Sequence, residues 1–222
     1  MYLLYLTFRN TERRVYMTIE HIIFDVDGTL IDTETAILKT WQLTLKEYGY
    51  DFSLDVLATT LGIPTAQALT NLGANVDRNF EKQWITNYHK EAHLMEYFPG
   101  IKKMLNDLNH CGIKLGIVTS RRQTELDRFF SAFKFEKTFE QIITVDDTTK
   151  HKPEPEPLLE YLAKTKTDKQ AAIYIGDMQT DITCANQAEI ASGIVTWGGS
   201  NGNITNATYT FSTPAEITAL FG

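Results

Sequence analysis

The stretch HIIFDVDGTLID, residues 21–32, runs a short apolar segment into two carboxylates one residue apart, Asp25 and Asp27, followed by Gly28 and Thr29. Further polar positions close or follow apolar runs downstream: Thr119 and Ser120 end KLGIVTS, Asp177 ends AAIYIGD with Asp181 just beyond, and Lys152 sits in the Pro-rich KHKPEPEP. Gathered in one pocket, three or four carboxylates repel each other unless a cation sits among them, and an all-oxygen donor set selects a hard ion such as Mg²⁺. A hydroxyl, backbone amides and an ammonium beside that ion make an anion site. Such a set suits phosphoryl transfer, where positioning and charge neutralisation do most of the catalysis. Asp25 is expected to be ionised at pH 7 and to attack phosphorus without a base. Asp27 would then protonate the leaving oxygen and later take a proton from water. Singly, each piece has an ordinary reading: Asp-Gly is a turn, Lys-Pro a solvated linker, Gly-Asp a helix N-cap. Their joint order along the chain is what carries the chemistry.

The elements that must deliver these residues share one form. Short Ile- and Val-rich runs at 21–25, 114–120, 141–147, 171–177 and 192–197 read as strands, and 208–211 as an edge strand. Near-continuous apolar runs suit strands covered on both faces, hence a parallel sheet. Helical patterns fill the gaps. In IKKMLNDLNHCG, Ile101, Met104, Leu105 and Leu108 share one face and Gly112 can stop the helix. Alternating strand and helix predicts an α/β fold with a doubly wound, Rossmann-like parallel core, which binds ligands at the carboxyl ends of its strands.

One gap differs. Residues 34–48 place Ile37, Leu38, Trp41, Leu45 and Tyr48 on one stripe with Gly49 after it; two shorter helices and a longer one over 77–96 follow, until Phe98-Pro99-Gly100 breaks the pattern. This predicts an α-helical cap domain, 34–97, inserted into a core made of 18–33 and 98–222. Residues 1–17 stand apart. Met17 opens a natural protein start, which reads the preceding residues as an extension; a strand or helix packed on the core is the alternative.

A formal charge of −7 argues against sequence-independent attraction to nucleic acid. No apolar run reaches the roughly 18 residues a membrane span needs. Cys111 and Cys184 are far apart and form no CxxC, so a reducing cytoplasm is the expected location and neither a disulfide scaffold nor a thiolate metal site is indicated. Whether the chain forms a homo-oligomer is open.

FDVDGTLID, GIVTS, KPEPEP and GDMQTD together resemble the four motifs of the haloacid dehalogenase-like hydrolase superfamily, and the cap after the first strand is similar to its phosphoglycolate phosphatase and β-phosphoglucomutase branch. The resemblance implies Asp25 as nucleophile forming an aspartyl-phosphate and Asp27 as general acid/base. It implies Thr119, Lys152 and the Ser120 backbone as phosphate ligands. Mg²⁺ would be held by the Asp25 carboxylate, the Asp27 main-chain carbonyl and Asp177, with Asp181 as a further ligand or behind the ligands.

Within that superfamily, Asp27 favours phosphate esters over halides, whose departure needs no proton. Ile37 stands where β-phosphoglucomutases carry a histidine, and GIPTAQAL (62–69) lacks their cap arginine. The expected function is hydrolysis of a small phosphorylated metabolite, with inorganic pyrophosphatase or a mutase-like phosphotransferase as alternatives and a non-catalytic binding protein as a remote one. Arg121, Arg122 and His151 are candidate cations for a second anionic group. His89 and His93, four apart, read as surface histidines, and Trp41 and Trp84 as cap core.

Overall fold

The chain's central strand, β1 (His21–Phe24), is buried along its whole length because parallel strands flank it on both sides. The computed structural model describes residues 19–61, 63–199 and 204–221, so the expected extension over 1–17 lies outside the described residues. Short strands β2 (Ile31–Asp32) and β3 (Glu96–Tyr97) flank a helical segment. Then follow β4 (Lys114–Val118), β5 (Gln141–Ile143), β6 (Ala172–Gly176), β7 (Ala191–Val195) and β8 (Tyr209–Phe211). The main sheet runs β5-β4-β1-β6-β7-β8 with every neighbouring pair parallel. The chain thus builds outward from β1 in one direction, then crosses back to β6 and builds in the other. That reversal is the topological switch that opens a crevice at the strands' carboxyl ends.

Helices lie on both sides of this sheet. α7 (Glu156–Thr165) and α8 (Gln179–Gln187) bury Leu158, Tyr161, Leu162, Cys184 and Ala185 against Ile23, Val118, Ile143 and Tyr174. α5 (Ile101–His110) buries the four residues of its predicted face and packs with α9 (Pro214–Phe221). The sheet residues and their helices form one compact unit, entered from β3, where the Phe98 N–H donates to the Leu30 carbonyl at 3.1 Å.

Thr33–Glu96 forms the second compact unit. Its helices are α1 (Glu34–Glu47), α2 (Leu54–Ala58), α3 (Thr65–Leu72) and α4 (Phe80–Glu91). Leu38, Trp41, Leu45, Leu57, Ala68 and Phe80 make its core, each large aliphatic contributing roughly 2 kcal/mol by leaving water. Ile37 packs against this core, as does Trp84, which stacks on Tyr88. Buried Asn87 ties α4 to α1 by donating to Thr44 Oγ1 and Glu47 Oε1. Among the described residues no helix is long and apolar enough to cross a membrane.

Candidate active site

Register sets the site. Phe24 pairs with Ile117 on one side and Ile175 on the other, so the residues that follow these three leave the sheet at one level. Asp25 keeps one ladder bond, its N–H donating to the Ile175 carbonyl at 2.9 Å, and Thr119 donates its N–H to Ile143 at 3.0 Å. Asp25, Thr119 and Asp177 are all buried there, whereas Ser120 is exposed.

Lys152 completes the cluster from the loop before α7. Its ammonium donates to Asp25 Oδ1 and Asp181 Oδ1, both at 2.8 Å, and to the Tyr174 hydroxyl at 3.2 Å. The lysine side chain is only 7% exposed and that of Asp181 only 1%, so neither charge could persist here without the other. Asp181 is engaged on both oxygens: Tyr174 OH lies 3.0 Å from Oδ1, and the Met178 N–H donates to Oδ2 at 3.0 Å. Tyr174 OH also lies 2.9 Å from the Val118 carbonyl, which ties the cluster on β6 across β1 to β4.

Burial would lower the Lys152 ammonium, but Asp181 and Asp25 outweigh it and hold the group well above its ordinary value. The carboxylates go the other way. Burial, relieved by Lys152 but reinforced by Asp181 and Asp27, pushes Asp25 up to about 7. Burial and the charges of Asp25 and Asp181 push Asp177 up to about 8. Desolvation, invisible in the sequence, therefore works against the ionised Asp25 that attack on phosphorus requires, and a further positive charge would offset it.

The donor set fits a divalent cation. Oxygens of Asp25, Asp177 and Asp181 lie within 4.8 Å of one another, and the buried carboxylates outnumber the one ammonium among them. The backbone is cut to suit. Gly28 has φ +73°, and a Cβ there would stand 2.3 Å from Asp177 Oδ2. A Cβ on Gly198 would lie 1.9 Å from the Gly28 carbonyl oxygen, and Trp197 Nε1 donates to the Thr29 carbonyl at 3.0 Å. The 197–199 loop therefore packs directly on the Asp-Gly turn.

Asp27 is held differently. Arg121 Nε and Nη2 donate to its Oδ2 and Oδ1 at 3.0 and 2.8 Å, a two-bond fork. Of the expected cations for a second anionic group, Arg121 is thus committed to Asp27 and to Glu125, and Arg122 pairs with Asp146. His151 is exposed, as are His89 and His93, and the one acidic or histidine cluster of metal-binding geometry among the described residues is the Asp25 triad. Sequence reasoning missed Tyr174 and Glu125. A lone tyrosine in the aliphatic AIYIG was the available signal for the first; nothing local marked the second.

The haloacid dehalogenase-like hydrolase profile matches residues 22–195. The chain is similar to pyrophosphatase PpaX of Oceanobacillus iheyensis, 30% identical over 182 residues, covering 82% of this chain and 85% of that protein. Among solved structures it is similar to a Lactobacillus plantarum protein named by inference a phosphoglycolate phosphatase, with TM-score 0.79 and 32% identity over 92% of this chain and 100% of that one. A Thermotoga maritima structure named by inference a β-phosphoglucomutase shares the fold at TM-score 0.80 and 24% identity, covering 91% of this chain and 98% of that one.

Proposed function

The chain belongs to the haloacid dehalogenase-like hydrolase family, and from that premise we propose that it is a Mg²⁺-dependent phosphatase of small phosphorylated metabolites working through an aspartyl-phosphate. One observation carries the reading: the Lys152 ammonium is buried between Asp25 and Asp181, beside Asp177, at the carboxyl ends of the central strands.

Asp25 attacks phosphorus while the bond to the leaving oxygen breaks, and Asp27 gives that oxygen its proton. Water then attacks the aspartyl-phosphate, its proton passing to Asp27, and phosphate departs with Asp25 restored as a carboxylate. Lys152, Thr119 and the Ser120 backbone hold the phosphoryl oxygens. Asp25, the Asp27 carbonyl and Asp177 would hold the Mg²⁺, which supplies positive charge to the phosphoryl oxygens and keeps Asp25 ionised. Asp181, with both oxygens engaged, serves to anchor Lys152 from behind.

A phosphoglycolate-type ester is the first substrate reading. Inorganic pyrophosphate is the second, favoured by relatives such as PpaX of Oceanobacillus iheyensis. The mutase reading is weaker, because Ile37 packs into the helical unit where a catalytic histidine would be needed. Retention of both aspartates speaks against a non-catalytic binding protein. The test is release of phosphate from p-nitrophenyl phosphate, phosphoglycolate and pyrophosphate with and without Mg²⁺, alongside Asp25→Asn. Turnover that survives Asp25→Asn or EDTA would overturn the nucleophile or the metal respectively.

A further inference from the structure

We propose that Arg121 is the positioning residue for Asp27, a fork that fixes where the acid/base carboxyl stands, and that it takes no part in binding substrate. This rests on the phosphatase reading above and goes beyond it. Both Asp27 oxygens face the guanidinium, Oδ2 toward Nε at 3.0 Å and Oδ1 toward Nη2 at 2.8 Å. The third nitrogen, Nη1, donates to Glu125 Oε1 at 3.1 Å, and the other oxygen of Glu125 accepts the Arg122 N–H at 2.9 Å at the start of α6 (Gln123–Phe129). The guanidinium carbon lies 5.5 Å from the centre of the Phe130 ring.

The backbone of Arg121 is fixed as well. Its N–H donates to Thr119 Oγ1 at 3.2 Å and its carbonyl accepts from the Val145 N–H at 3.1 Å. The arginine is thus held at both ends before it meets Asp27, and its side chain is 15% exposed. A planar fork of this kind specifies direction as well as charge, which a lysine cannot do. It engages both carboxyl oxygens at once and so sets the plane in which the carboxyl group stands. A proton donor works only within hydrogen-bond reach of the atom it serves. Two carboxylates, Asp27 and Glu125, already balance the guanidinium, so it carries no spare charge for a second anionic group on a substrate.

The prediction separates two half-reactions. Transfer from p-nitrophenyl phosphate to Asp25 needs little help, because nitrophenolate leaves without a proton. Departure of an alkoxide from phosphoglycolate needs Asp27, and so does hydrolysis of the aspartyl-phosphate. With Arg121→Met, kcat/KM on nitrophenyl phosphate should change less than ~3-fold, while kcat falls ~10-fold or more and a burst of about one nitrophenolate per protein appears. Arg121→Lys, which keeps the charge without the fork, should recover part of the kcat. Arg122→Ala, breaking the neighbouring pair with Asp146, should match wild type.

Equal loss of kcat and kcat/KM with no burst, in both Arg121 variants, would overturn the proposal in favour of a structural role. A raised KM at unchanged kcat would overturn it in favour of substrate binding. Wild-type protein that releases no nitrophenolate sinks the phosphatase reading itself and this proposal with it.

Discussion

Replacing Gly28 by alanine tests the geometry of the carboxylate cluster more sharply than removing a charge, because it adds one methyl group and changes no ionisable residue. At φ +73° the backbone sits where an L side chain costs roughly 1–2 kcal/mol. The new Cβ would stand 2.3 Å from Asp177 Oδ2 and 2.7 Å from its Cγ, well inside ordinary contact. To restore contact the carboxyl group must retreat by about 1 Å, a misplacement able to cost on the order of 10²-fold in rate at a reacting site. The backbone penalty alone corresponds to a fall of roughly 2–8 °C in melting temperature for a chain of this size. The assay is initial rate against Mg²⁺ concentration, with thermal melts of the same samples. Gly28→Ala should need more Mg²⁺ for half-maximal rate and should turn over more slowly even at saturation. If it keeps the wild-type rate and Mg²⁺ response while losing only stability, then Asp177 does not hold the cation and the donor set is wrongly assigned.

Two further outcomes concern pH. Asp25 and Asp177 titrate higher in the fold than in the unfolded chain, so the metal-free protein loses stability as pH rises from about 4 toward about 8. A divalent cation replaces the protons, so the gain in melting temperature from Mg²⁺ over EDTA should be larger at about pH 8 than at about pH 6; equal gains would remove these carboxylates from the site. His21 behaves oppositely. Burial, opposed by Glu140 and Glu20, holds its imidazole below the ordinary value, and its Nδ1 lies 3.0 Å from the Tyr161 hydroxyl. The unfolded chain therefore takes up the proton first, and stability falls as pH drops through about 6.5. His21→Gln should lack that component, seen as a flatter urea midpoint below neutrality than in wild type; identical slopes would exclude His21 as its source.

The sheet was legible because every strand buried on both faces reads as an apolar run, and because Asp25, Thr119 and Asp177 each stand at the end of one. Lys152 was legible through its prolines and order in the chain, although its two carboxylate partners lie 127 and 29 residues away. The Arg121–Asp27 fork was not. The two residues are 94 apart, and a pair of arginines after Thr119 looks the same in sequence whether it awaits a substrate or is already neutralised. The pressure against ionising Asp25 was hidden for a related reason: composition shows a carboxyl group but not how little water reaches it.

The Arg121–Asp27 fork and the burial of Asp25 meet in the charge of the site. Counted formally, Asp25, Asp177 and Asp181 set three negative charges against Lys152, and the Asp27–Arg121 pair beside them adds none. A phosphoryl group brings more negative charge to a place that already has an excess of two, with little water to screen it. Protons can relieve the excess, which is what the raised positions of Asp25 and Asp177 express, but a protonated Asp25 is no nucleophile. On the proposed mechanism, a divalent cation would relieve the same excess and leave Asp25 able to attack. Had Arg121 been a spare cation it could have met part of that need, and the site would have tolerated loss of the metal better. On the proposed reading, its commitment to Asp27 would leave the carboxylates dependent on one.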